Sequence, residues 1–204
     1  MGGTTLATHA KPVVPGVGRF KVIEVPREYE FCDVNHVVLL VSDLFTETSA
    51  INTLAHPQEA GMTLFHSFSV PRIPIHAYVA RLAKYALLQP ALLLSAVYYM
   101  DRLSALYHRF ILCARTVHRF LIAAVTVAAK GLSDKFWSIR HYARVGGISP
   151  AELVLLEREL LVRVEWRVVP DPDLLLAYYH GLVNRSKRFK LVKREDNKRP
   201  ANVT

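Results

Sequence analysis

Cysteine is almost missing: Cys32 and Cys113 are the only two in 204 residues. They lie far apart, in neither a Cys-x-x-Cys nor a Cys/His spacing, which excludes a disulfide-stapled scaffold and a zinc module. Reduced thiols fit an intracellular setting, cytoplasmic and/or nuclear. No low-complexity or Gly/Pro-rich tract is present, and 51% of the residues are hydrophobic against 21% charged. Such a chain can bury enough apolar surface to offset its ordering entropy, which excludes a disordered or fibrous protein. Unbroken apolar runs are lacking as well. Phe110 to Ala129 is interrupted by Arg115, His118 and Arg119, and Leu87 to Tyr99 contains Pro90 and is too short for about 30 Å of hydrocarbon. Residues 1–20 show no secretory pattern, and Leu6 stands where a myristoylation signal needs Ser or Thr. The expectation is a soluble protein with no membrane partner, in which the sequons at Asn184 and Asn202 are incidental.

Catalytic signatures are equally scarce. There is no Gly-x-x-x-x-Gly-Lys-Ser/Thr loop, no Gly-x-Gly-x-x-Gly after a strand, no Gly-x-Ser-x-Gly elbow and no His-Glu-x-x-His. The nine histidines are scattered, so the reading is a non-enzyme without cofactor, metal or small-molecule substrate. His118 and Arg119 open an apolar helix, where hydrogen bonds to the preceding loop are the expected use of their polar atoms. Gly146-Gly147 precedes an anionic capping box that would repel phosphate.

Charge is present but uneven. Eight of the basic residues fall between Arg185 and Arg199, opposed by Glu195 and Asp196, so six of the nine net positive charges sit in the last twenty residues. A basic tail on a nearly balanced body reads as a solvated tail or import signal before it reads as a nucleic-acid groove. Nucleic acid is therefore not an expected partner.

The chain divides into five stretches. Residues 1–28, with Pro12, Pro15, Gly16, Gly18 and Pro26, read as extended or disordered. Residues 29–64 form an N-terminal helical extension, because Val34, Val37, Val38, Val41, Leu44 and Phe45 recur at three and four residues from about Tyr29 to Thr53. Residues 65–168 carry five helices. The first starts at Ile75, behind Pro71 and Pro74. The second opens at Pro90 and ends near Tyr107. The third runs from Thr116, a candidate N-cap, to Lys130 and is apolar nearly all round, which makes it central. The fourth spans Phe136 to Val145 and stops at Gly146-Gly147. The fifth begins at a capping box, Ser149-Pro150-Ala151-Glu152. Residues 169–185 give a C-terminal helix from Leu174 to Val183, and 186–204 the basic tail. No segment alternates with period two, so the fold class is all-α with no sheet.

Several motifs then select one family. Ser95-Ala96-Val97-Tyr98-Tyr99-Met100-Asp101-Arg102-Leu103 resembles the second-helix signature of cyclins. Val117-His118-Arg119-Phe120-Leu121-Ile122 with Val127-Ala128-Ala129-Lys130 is similar to the third helix of the same box. Asp134-Lys135-Phe136, Tyr142-Ala143-Arg144-Val145-Gly146-Gly147-Ile148-Ser149, Glu152-Leu153 and Leu156-Glu157 follow in order. The Val-Gly-Gly-Ile-Ser run, the His-Arg pair and Pro71-Arg72-Ile73-Pro74-Ile75 resemble the P/U-type branch, related to the fungal phosphate-pathway cyclins. The resemblance covers about Phe65 to Val183 and implies a single five-helix cyclin box with one flanking helix on each side. At Ser133 the family usually has a second aspartate, and at Ile139 asparagine. The Met-Arg-Ala-Ile-Leu pattern of animal cell-cycle cyclins is missing, so their docking site is not carried over.

The resemblance implies a subunit that binds and activates a cyclin-dependent protein kinase catalytic subunit. Lys130 and Glu157 match the cyclin lysine and glutamate that hydrogen-bond the kinase near its mobile helix. Phe120, Leu121, Phe136 and Leu160 are implied as an apolar contact surface around them. From the residues alone, Lys130 would be a cation offsetting a helix C-terminal dipole, worth about 0.3–1 kcal/mol, and Glu157 part of a solvated face. Arg81 and Asp101 are expected to form a structural ion pair between neighbouring helices, since breaking a buried pair costs about 3–5 kcal/mol. The alternative is a helical adaptor or transcription-factor-like cyclin fold that binds nucleic acid or protein through its basic tail.

Overall fold

A computed structural model describes residues 22–56 and 62–192. In order they form strand β1 (Ile23–Val25), a 3-10 turn (Tyr29–Phe31), and helices α1 (Val34–Ala55), α2 (Ile75–Ala86), α3 (Pro90–Leu106) and α4 (Val117–Leu132). Helices α5 (Ile139–Gly146), α6 (Pro150–Arg163) and α7 (Pro172–Arg185) and strand β2 (Phe189–Leu191) follow. Local chemistry sets most of these limits. Asp33, Ser149 and Asp171 accept hydrogen bonds from the first-turn amides of α1, α6 and α7. Pro90, Pro150 and Pro172 open α3, α6 and α7, where the missing amide costs nothing.

Helix α4 is the axis of the bundle. Twelve of its 16 residues are buried, and it packs against α2, α3, α5 and α6. At its first turns Phe120 meets Phe45 from α1 and Phe65 and Phe110 from the two long connectors, with ring centroids 5.5–6.2 Å from Phe120. Tilted and edge-on aromatic contacts of this kind add to the burial itself. Hydroxyls inside the bundle bond back to their own helices, Ser95 Oγ to Ala91 O and Thr126 Oγ1 to Ile122 O, so burial leaves neither unsatisfied. By length and composition α1 could cross a membrane. Its Val37, Val41 and Phe45 are instead completely buried, as in a core helix.

Five differences from the sequence expectation have physical causes. A small sheet exists: β1 pairs in parallel with β2, Ile23 opposite Phe189 and Val25 opposite Leu191. Part of the stretch read as an extended N-terminal segment is thus joined to part of the stretch read as a solvated tail. That tail is partly docked, because Arg188 and Lys190 pair with Asp43 and Glu24, next to the Arg185–Glu47 pair at the end of α7. Pro12, Pro15, Gly16, Gly18 and the basic residues from Lys193 on lie outside the described residues. Helix α1 begins at Val34, five residues later than expected, behind the 3-10 turn and the Asp33 cap. Helix α5 begins at Ile139, because Ser138 caps it and leaves Phe136 and Trp137 in the connector. Thr116 precedes α4 without capping it; its hydroxyl accepts from Cys113 N (2.8 Å) and donates to Ile111 O (2.7 Å).

Candidate functional site

Lys130, in the last turn of α4, donates from Nζ to both carboxylate oxygens of Glu157 on α6, at 2.7 and 2.8 Å. The glutamate side chain is only 13% exposed and the lysine 34%. The two helices pack along their lengths, so the pair sits at a fixed junction and its outer edge meets solvent. Gly131, just past the lysine, lets the 164–168 turn come close: a β-carbon there would touch Val168 Cγ2 at 3.4 Å.

Beyond the pair, the α4–α5 connector presents Phe136, 55% exposed, with Trp137 exposed beside it. Trp137 stacks on His141 of α5, centroids 4.5 Å apart, and His141 Nε2 bonds to the backbone oxygen of Tyr85 at the end of α2. Along the chain an aromatic shelf thus follows a charged clamp, the clamp held by α4 and α6 and the shelf by α5 and α2. Trp137 had no part in the sequence reading; its place beside Phe136 in the connector was the available signal.

The remaining expected contact residues are elsewhere. Phe120, Leu121 and Leu160 are at most 1% exposed. They fill the core, because their helical spacing puts them on the buried stripes of α4 and α6. Of the apolar contact set, only Phe136 stays at the surface.

The structural set is also partly redistributed. Arg81 and Asp101 do not pair. Arg81 donates from Nη2 to Arg144 O (3.2 Å), and Asp101, exposed on α3, accepts from the Tyr178 hydroxyl of α7 (2.6 Å). An exposed carboxylate does not require a buried cation, which removes the premise of the predicted bridge. Its neighbour Arg102 donates to Val164 O (3.2 Å), closing a turn in which Glu165 and Trp166 both have positive φ. Ser149 Oγ accepts from Glu152 N (3.1 Å), as a capping serine should. The Glu152 carboxylate does not complete the box; it accepts from Arg119 instead.

Gly146 and Gly147 play separate parts. Gly147 takes the left-handed conformation, φ 75°, that ends α5. At Gly146 a β-carbon would lie 2.5 Å from Ile122 Cγ1, so α5 needs glycine there to approach α4. The Gly146 carbonyl in turn accepts from the Tyr78 hydroxyl (3.0 Å). His118 donates from Nε2 to Ile73 O (2.9 Å), and Arg119 from Nε to Leu64 O (3.0 Å), so both bond the preceding loop. Burial pulls the His118 pKa below the ordinary imidazole value, only partly offset by that bond, and Nδ1 has no hydrogen-bond partner. A cleft of about 260 Å³ beside it is lined by Pro71, Tyr78, Arg81 and Gly147. Among the described residues no group of three or more His, Cys, Asp or Glu is placed to hold a metal ion.

Comparison with known proteins agrees with this architecture. The cyclin family model matches residues 42–168, more than half of the chain. The chain is 50% identical over 188 residues to the Nuc-1 negative regulatory protein preg of Neurospora crassa, covering 91% of this chain and 39% of that protein. It is 36% identical over 178 residues to the PHO85 cyclin PHO80 of Saccharomyces cerevisiae, covering 85% of this chain and 59% of that one. With Cyclin-U4-1 of Arabidopsis thaliana it shares 32% identity over 152 residues, 73% of this chain and 75% of the plant protein. The chain thus spans less than two thirds of the length of both fungal relatives. The bundle around α4, the ordered motifs on its helices and these matches lead to one conclusion: the chain belongs to the cyclin family.

Proposed function

We propose that this cyclin is a regulatory subunit, without catalysis of its own, that binds a cyclin-dependent protein kinase catalytic subunit and switches it on. A kinase of this class is idle while the helix bearing its ion-pairing glutamate is turned away from the ATP-binding lysine. A partner that fits only the inward arrangement shifts the equilibrium by the difference in its affinity for the two states. The observation that carries the reading is the Lys130–Glu157 clamp, fixed at the α4–α6 junction, with the exposed Phe136 six residues further along the chain. Its hydrogen-bonding groups need no reordering on contact, and preorganisation of this kind lowers the entropic cost of association. The relative named as a PHO85 cyclin supports a partner of the PHO85 kind. Buried, unpaired Cys32 and Cys113 support action inside the cell, in the cytoplasm and/or nucleus.

Co-purification of the full chain with its kinase, followed by a phosphotransfer assay, tests this directly. Combined Lys130→Ala and Glu157→Ala substitution should lower kinase affinity at least tenfold with helicity unchanged. The adaptor reading through the basic tail is not favoured, since the relatives include a PHO85 cyclin and a plant U-type cyclin.

A further inference from the structure

Phe68 is fully exposed, at 101% of its reference area, yet the loop that carries it is firmly held. Ser67 N and Oγ both donate to Arg115 O (2.8 Å each), Arg115 Nε donates back to Ser67 O (3.1 Å), and Phe65 is buried edge-on against Phe110. A rigid loop that holds a phenyl ring in water has made no attempt to hide it. Met62, Leu64 and Val70 of the same segment are exposed as well, as are Ile51 and Leu54 near the end of α1. These belong to one end of the bundle. Asn52 Nδ2 donates to Leu112 O (3.0 Å) and Ala114 N to Thr53 Oγ1 (3.1 Å), joining α1 to the connector that binds Ser67. Apolar side chains gathered in this way at a surface mark an interaction site.

Among the described residues the exposed charge at this end has one sign. Among the described residues there is no Asp or Glu between Thr48 and Met100, nor between Arg102 and Ser133. Glu59 lies outside them, and Glu152 is occupied by Arg119. Arg72 and Arg109 are exposed there, with His56, His76 and His108. A symmetric contact with a second copy would set these arginines against their own counterparts, which disfavours self-association. The segment is tied to the first turn of α4 by the His118–Ile73 O bond, and Lys130 lies twelve residues further along that helix, about 18 Å at 1.5 Å per residue.

We propose that this end docks an acidic protein segment with an apolar anchor. The anchor packs on Phe68, Leu64 and Val70, and the carboxylates of the segment pair with Arg72 and Arg109. The site is separate from the kinase reading, so the chain would recruit such a segment whether or not a kinase is bound.

The probe is a fluorescein-labelled twelve-residue peptide alternating Asp or Glu with Leu and Phe, titrated with the full chain and read by anisotropy. Its controls are the same peptide with Lys at every acidic position and a single-stranded oligonucleotide of twelve bases. The acidic peptide should bind at least tenfold tighter than the Lys peptide and weaken as salt is raised. Phe68→Ala should weaken it at least fivefold and Arg72→Glu with Arg109→Glu at least tenfold, with circular dichroism unchanged. Equal binding of the Lys peptide, or an affinity indifferent to Phe68→Ala, would overturn the proposal. So would tighter binding of the oligonucleotide, or sedimentation showing a dimer that Phe68→Ala dissolves.

Discussion

Gly146 on α5 and Ile122 on α4 are in backbone-to-side-chain contact so close that a β-carbon at 146 would sit 2.5 Å from Ile122 Cγ1. Ile122 is wholly buried, and Cγ1 cannot swing away as a chain end could. Gly146→Ala gains helix propensity of about 1 kcal/mol but overpacks the core at a cost of about 1–3 kcal/mol. The unyielding neighbour puts the clash at the upper end of that range, so the net effect is destabilising. Calorimetry should show a lower Tm, by roughly 2–4 °C for each kcal/mol lost in a domain of this size. In the double variant with Ile122→Ala the losses should fall well short of additive, since the smaller side chain makes the room.

His118 gives the fold a defined response to acid. Its folded-state pKa lies below the unfolded value of 6.5 because the ring is desolvated. Above pH 6.5 both states are neutral there, and the contribution to stability is fully present. As pH falls below 6.5 the unfolded chain takes up a proton that the folded one resists, and the contribution is lost progressively down to the lowered pKa. Thermal melts between pH 7.5 and 5.5 should show a steeper fall in Tm for the parent than for His118→Gln. Parallel slopes would mean that His118 does not carry the effect.

Asp101 should couple to Tyr178 and not to Arg81. The Tyr178 hydroxyl bonds Oδ2 at 2.6 Å, and burial together with the carboxylate raises the phenol's pKa, so it remains the donor. Asp101→Asn keeps an acceptor and should cost less than about 1 kcal/mol, within the range of a single exposed hydrogen bond. Urea denaturation of single and double variants should give a measurable interaction energy for Asp101 with Tyr178 and none for Asp101 with Arg81. A loss of about 3–5 kcal/mol in Asp101→Asn would restore the buried ion pair that the sequence suggested.

Ser149→Ala removes the one side-chain cap of α6 and should destabilise the chain by about 1 kcal/mol. Glu152→Gln should leave that cap intact while releasing Arg119, so the two changes should add. Guanidinium titration of the pair distinguishes this from a reciprocal capping box, in which the second loss would be largely contained in the first.

The helices were readable because each carries an apolar stripe and a chemical stop: Pro90, Ser149-Pro150 and Gly146-Gly147 stand at element boundaries in the structure. The β1–β2 pair was not readable. Three residues are too few to show a period, and the partners lie more than 160 positions apart. Phe120, Leu121 and Leu160 show a different limit, since periodicity places a residue on a stripe but does not say whether that stripe faces the core or a partner. The Arg81–Asp101 expectation failed because α7 delivers Tyr178 to the carboxylate first, and that packing has no trace in the spacing within α2 and α3. Lys130 and Glu157 drew attention only through the resemblance to cyclins; their mutual hydrogen bonds are a fact of how α4 meets α6.

The most direct measurement is the phosphotransfer rate of the cognate kinase as increasing amounts of the full chain are added. Lys130→Ala, Glu157→Ala and the double variant are compared with the parent, and each is first shown by circular dichroism and thermal melting to be folded. The clamp account predicts that each single substitution raises the half-activating concentration at least tenfold and that the double variant barely activates. A folded double variant that activates the kinase as well as the parent would contradict it.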